Sequence, residues 1–179
     1  FPHHTNEIAQ SESYIGHHWC NYWMHVMHLN TTSGKMSKSK GEFLTVSLLE
    51  QKGYDPLAYR LFCLQSHYRK NLVFSWENLD NAMGTYQKLI AKIAALKPSD
   101  EPIDEEAVKV LREKFNKALG NDLNTSLGIT ALYDVLKYQT NDATKLYLLD
   151  NFDKVLSLDL LKKADEARKK AASAKQSGG

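Results

Sequence analysis

The stretch Lys35-Met36-Ser37-Lys38-Ser39-Lys40-Gly41 governs how the rest of the chain is read. Its seven residues carry three lysines, two serine hydroxyls and a glycine, just after the turn-forming run Asn30-Thr31-Thr32-Ser33-Gly34. A lysine ammonium is a compact charge with three donors on a mobile stem, which suits phosphate oxygens. Serine hydroxyls and loop amides can cradle the same anion. A loop that carries its own charge can close over a phosphate and stabilise the charge that builds up during transfer. A plain solvated basic loop is the alternative.

Upstream, Trp19 to Leu29 is aromatic and β-favouring. Trp23, His25, Met27 and Leu29 alternate with Met24, Val26 and His28, so a fairly buried strand is expected there. Residues three apart on a strand face opposite sides. His25 and His28 therefore read as separate core or substrate-contact histidines, not as a metal pair. Cys20 reads as a small buried residue. Before this run, His3 to Tyr14 has helical character, with Pro2 as lead-in and Gly16 as stop. His3 and Glu7 are four apart and share one helical face. An imidazole nitrogen and a carboxylate oxygen at that spacing can ligate one zinc ion. An exposed hydrogen-bonded pair has the same spacing, and two ligands do not complete a tetrahedral site.

Downstream, Thr45 caps a helix to about Lys52, closed by Gly53, and Asp55-Pro56 starts another through Leu64. Ser66-His67-Tyr68-Arg69-Lys70-Asn71 is a basic connector with an aromatic residue; contact with phosphates and simple solvation both fit it. From Trp76 the pattern is helical throughout. One amphipathic stripe runs from Glu77 to Leu96, and Pro98 to Pro102 makes a link. Further helices start at Asp104, Thr125 and Asn141, with Gly120-Asn121-Asp122 breaking the first of them. Short links between such helices predict an antiparallel bundle whose apolar stripes are core. The basic tail, Lys162 to Lys175, reads as a frayed, solvated terminal helix, with an RNA-contacting helix as the alternative.

Composition bounds the function. The chain has 179 residues, 42% hydrophobic and 25% charged, with a net charge of +2. That length supports one or two domains with a real core. The balanced charge argues against a DNA binder that relies on a global basic field. Two cysteines, Cys20 and Cys63, do not make a secreted disulfide framework, so a reduced, cytoplasmic setting is expected. No apolar run approaches the roughly 20 residues that cross a bilayer, so no membrane partner is expected. The start, Phe1-Pro2-His3-His4, reads as the middle of a longer protein that begins well upstream.

With these segments placed, a family resemblance emerges. Phe1-Pro2-His3-His4-Thr5-Asn6-Glu7-Ile8-Ala9-Gln10-Ser11-Glu12 resembles a block of cysteinyl-tRNA synthetase, and Tyr22-Trp23-Met24-His25 resembles the strand that follows it. Lys35-Met36-Ser37-Lys38-Ser39 is similar to the signature loop of class I aminoacyl-tRNA synthetases. Ser66-His67-Tyr68-Arg69, Phe74-Ser75-Trp76-Glu77-Asn78-Leu79 and Asn121-Asp122-Leu123-Asn124-Thr125 resemble later blocks in the same order. Tyr14-Ile15-Gly16-His17 resembles the family's other signature, His-Ile-Gly-His. Its first position is a tyrosine and it lies too near the lysine loop, so no catalytic role is assigned to it.

The resemblance implies a mainly α chain: a helix-and-strand remnant of a Rossmann-like catalytic fold, a stem-contact connector and an antiparallel helical bundle. The expected boundaries are 1–45, 46–75 and 76–179. It implies ATP-dependent activation of cysteine and transfer to tRNA(Cys). Expected partners are ATP, L-cysteine and tRNA(Cys), with no DNA, and the expected state is a monomer. It implies one zinc ion per subunit, held by His3 and Glu7 together with two cysteines upstream of this chain. It implies an ATP-contacting loop of Lys35, Met36, Ser37, Lys38 and Ser39, in which Lys38 acts on the reacting phosphates. The isolated 179 residues are expected to be inactive and to bind zinc poorly. Two rival readings stand beside it: a ligase joining cysteine to an amino sugar, which shares the lysine loop and the His-His segment but needs no tRNA-binding bundle, and a non-catalytic tRNA-binding module.

Overall fold

The computed structural model describes residues 2–31, 34–35 and 45–176, giving the backbone alone at 34–35 and 175–176. In chain order the elements are α1 (Pro2–Ile15), β1 (Leu29–Thr31), β2 (Gly34–Lys35), α2 (Val46–Gln51), α3 (Pro56–Leu64), β3 (Leu72–Phe74), α4 (Trp76–Ala94), α5 (Glu105–Gly120), α6 (Thr125–Lys137), α7 (Asp142–Leu156) and α8 (Leu160–Gln176). The chain is mainly helical, as its sequence predicts.

Local chemistry sets most helix starts. The side chains of Thr45, Asp55, Ser75, Asp104, Asn124 and Asn141 each accept a hydrogen bond from a backbone N–H in the following first turn. Each thereby satisfies a donor the helix leaves unpaired. Gly16, at φ +75, stops α1 in the left-handed conformation that glycine adopts without steric cost.

Helices α4 to α8 bury one core, to which α3 contributes Ala58 and Leu61. Leu89, Ile93, Leu132, Val135, Leu148 and Leu149 are fully buried, and the Phe115 and Phe152 rings stack with centroids 4.0 Å apart. Each large side chain taken out of water contributes roughly 1.5–3 kcal/mol. A smaller cluster of Leu49, Phe62, Phe74, Leu79 and Ala82 joins α2, α3 and β3 to the start of α4.

The tail departs from expectation. Helix α8 is docked: Leu158, Leu160 and Ala164 are fully buried. The Asp153 carboxylate accepts from the N–H groups of Leu158 and Leu160, which caps the helix. Arg168 donates to the carbonyls of Ile93, Ala94 and Leu96 at the end of α4. The high lysine content of the tail hides this, because its apolar anchors precede the charged run.

The strand expected over Trp19 to Leu29 is also not what forms. Only Leu29–Thr31 is strand, and residues 19–28 have no regular structure. Trp19, Tyr22 and Met24 are exposed. β-propensity expresses packing on a paired surface; residues 19–28 enter no strand pairing, although the Met27 N–H donates to the Tyr68 carbonyl. Cys20 is half-buried, with its thiol donating to the Tyr22 carbonyl. The sheet order is β2-β1-β3. β1 runs antiparallel to β2, with Asn30 opposite Lys35, and parallel to β3, with Leu29 opposite Leu72. A parallel pair needs a crossover, and α2 and α3 supply it. β3 is too short for sequence periodicity to reveal.

Candidate functional site

Helix α1 carries His3 and Glu7 one turn apart on an exposed face. Their donor set, one imidazole nitrogen and one carboxylate oxygen, suits zinc and fills half of a tetrahedral shell. Among the described residues no group of three or more His, Cys, Asp or Glu converges on a point that could hold a metal. Among the described residues, no third ligand joins the pair.

The neighbouring histidine does something the sequence does not show. His4 packs its ring between Trp23, with centroids 4.5 Å apart, and His25, 4.2 Å apart. Trp19 meets Trp23 edge-on. The His4 Nδ1 is enclosed without a hydrogen-bond partner. Burial, then the neighbouring His25, pushes its pKa below the ordinary histidine value, which favours neutral imidazole. The expectation that His25 and His28 lie on opposite faces of a strand lapses with the strand. Spacing alone could not pair residues 4 and 25.

Pairing of β2 with β1 fixes the backbone where the lysine-rich loop begins, at Lys35. Met36, Ser37, Lys38 and Ser39 lie outside the described residues. Tyr14-Ile15-Gly16-His17 forms the end of α1, where the Gly16 N–H donates to the Glu12 carbonyl. That is a helix stop.

The connector shows the largest gain from structure. Tyr68 and Arg69 both bind Asp122, which sits 53 residues beyond Arg69 in the turn between α5 and α6. The Tyr68 hydroxyl donates to Asp122 Oδ1, and Arg69 donates Nε to Oδ2 at 2.6 Å and a second N–H to Oδ1 at 3.3 Å. His67 Nε2 lies 3.8 Å from the same carboxylate. The Arg69 and Tyr68 hydrogen bonds hold the Asp122 carboxyl below the usual carboxylate range. Thr125 adds a bond from its hydroxyl to the Ser66 carbonyl at 3.4 Å. Arg69 is thus occupied by Asp122, while Lys70 is exposed. Both partner blocks stand out in the sequence, but nothing there says that they meet.

Between residues 24–29, α3, the connector and the α5–α6 turn lies a cavity of about 350 Å³. Its wall is mainly apolar, with Met24, Met27, Leu29, Tyr59, Leu72 and Leu123. Burial pushes the thiol of Cys63, also on this wall, above its ordinary value. No helix among the described residues is long and apolar enough to cross a membrane.

Residues 1–84 match the family model described as tRNA synthetases class I (C) catalytic domain. A cysteine–tRNA ligase of Novosphingobium aromaticivorans is 40% identical in an alignment 171 residues long that covers 89% of this chain and 35% of that protein. One from Thermococcus gammatolerans is 40% identical over 147 residues, covering 75% of this chain and 31% of the relative. Cysteine–tRNA ligase 1 of Burkholderia lata is 37% identical over 159 residues, covering 88% and 33%. The chain spans about a third of the length of these curated relatives.

Proposed function

Because this chain belongs to the cysteinyl-tRNA synthetase family, we propose that it serves a cysteine–tRNA ligase, as the part that holds half of a metal site, the ATP loop and an RNA-facing bundle. In this reading residues 1–45 complete the nucleotide-binding catalytic domain, 46–75 contact the tRNA stem, and 76–179 form the anticodon-side bundle. A cysteine carboxylate oxygen attacks the α-phosphorus of ATP and pyrophosphate leaves. A hydroxyl of the terminal ribose of tRNA(Cys) then attacks the carbonyl of the adenylate, and AMP leaves. Lys38 stabilises the negative charge that grows as pyrophosphate departs, and Lys35, Met36, Ser37 and Ser39 shape the loop around it. His3 and Glu7 would hold a zinc ion, one per subunit. When bound, that ion supplies a soft site that takes a thiolate in preference to a hydroxyl. His4, next in the chain to His3, packs against Trp23 and His25 and so ties the start of α1 to the segment that follows it.

The observation that carries this reading is the match of residues 1–84, which include His3, Glu7 and the lysine loop, to the class I (C) catalytic-domain model, beside 40% identity to a cysteine–tRNA ligase. Cysteine-dependent exchange of pyrophosphate into ATP by the whole protein tests it. Lys38→Ala is expected to slow exchange by about a hundredfold or more. An unchanged rate would remove Lys38 from the mechanism. Residues 1–179 alone are expected to give no exchange and to bind zinc poorly, since they supply two ligands. Exchange by this piece would refute that part.

A further inference from the structure

The turn between α5 and α6 is strained. Asp122 at φ +56 and Leu123 at φ +52 are consecutive non-glycine residues in the left-handed region, which costs free energy unless the surroundings hold them there. What holds Asp122 is its side chain, engaged by Tyr68 and Arg69 from the connector. Tyr68 is gripped at both ends: its hydroxyl reaches the bundle, and its carbonyl accepts from the Met27 N–H at 2.9 Å. Two residues after Met27, β1 begins, and its pairing with β2 leads directly into Lys35. A continuous run of hydrogen bonds and covalent steps therefore links the bundle turn to the start of the lysine loop.

This clasp is not what folds the molecule. The apolar core already joins α3 to the bundle, and both Asp122 and Arg69 are exposed. Its effect falls on the setting of the Tyr68 turn and of the residues leading to β1.

We propose that Asp122 is a positioning residue for the tRNA-dependent step: through Tyr68 and Met27 it sets the catalytic segment relative to the bundle for an RNA that touches both. The inference rests on the ligase reading above. Adenylate formation uses ATP and cysteine within the catalytic segment, where the β1–β2 pairing stays in place without the clasp, so it senses the setting far less. A tRNA that lies across both sides does.

The test uses the whole protein with Asp122→Gly, which keeps the left-handed backbone free of strain, and Tyr68→Phe as a second variant. Both are expected to lower kcat/KM for charging of tRNA by about tenfold or more, while pyrophosphate exchange stays within about twofold and the melting temperature falls by no more than about 2 °C. The Met27 amide is expected to exchange its hydrogen faster in both. Loss of exchange and charging together with a lower melting temperature would overturn the proposal, as would unchanged charging. Should the unmutated protein charge no tRNA, the ligase reading fails, and Met27 still decides the clasp: faster exchange in the variants supports it, and unchanged exchange overturns it.

Discussion

Helix α7 buries Thr144, Leu148, Leu149, Phe152 and Leu156, whereas α1, one residue shorter, buries none. The residues with metal-binding chemistry sit on α1, and the residues with stabilising chemistry sit on α7 and its neighbours. Short helices without tertiary burial are marginal in water. α1 leans instead on polar and ring contacts: His4 against Trp23 and His25, and Glu12 accepting from the Trp19 N–H at 3.2 Å. The difference teaches that the buried apolar core and the exposed His3–Glu7 pair are held in separate parts of this chain. Mutations should sort accordingly.

The largest stability effect is expected for Phe152→Ala, which empties a stacked, fully buried site and should cost about 3–5 kcal/mol. Urea unfolding followed by circular dichroism measures it, and a loss below about 1 kcal/mol would mean that the bundle core is not where stability resides. Arg168→Ala removes three hydrogen bonds to the end of α4 and should cost about 1.5–3 kcal/mol in the same assay. A frayed α8 would show no change. Tyr86→Phe deletes the bond from its hydroxyl to the Leu158 carbonyl, leaving a buried acceptor unpaired at a cost of about 1–3 kcal/mol. This variant is expected to be the mildest of the core set.

Acid titration probes the contact between the two regions. The folded-state carboxyl of Asp122 lies below its unfolded value. Its contribution is therefore full above the unfolded carboxylate pKa of about 3.9 and is lost as pH falls through the folded value. Wild type and Asp122→Asn should differ at neutral pH and converge in acid, read by the environment of Tyr68 in tyrosine absorbance. Divergence that grows on acidification would contradict the sign. At the small end, His3→Ala and Glu7→Gln should move stability by no more than about 0.5 kcal/mol. In the whole protein either should cost most of the bound zinc, measured by elemental analysis.

How much could be read in advance follows the same division. The bundle was legible because its caps and stripes are local: Asp104 starts α5, Asn141 starts α7, and 3.6-residue periodicity marks the buried face. Docking of α8 was not legible, since Leu158 lies between left-handed Ser157 and Asp159 and Leu160 opens α8 directly after them, ahead of any stripe. The strand read at Trp19 to Leu29 failed because alternation describes a surface, and a strand also needs a partner backbone. His3 and Glu7 were singled out by their spacing, and the structure places them one turn apart on an exposed face of α1. The packing of His4 on His25, and the bonds from Tyr68 and Arg69 to Asp122, join distant positions that no periodicity connects.

The most direct test of the ligase account is charging of tRNA(Cys) by the whole protein supplied with ATP and labelled cysteine. The account predicts label in tRNA as an alkali-labile ester, formed with cysteine and not with serine. Label carried instead by an amino sugar, or adenylate formation with no label reaching tRNA, would contradict it.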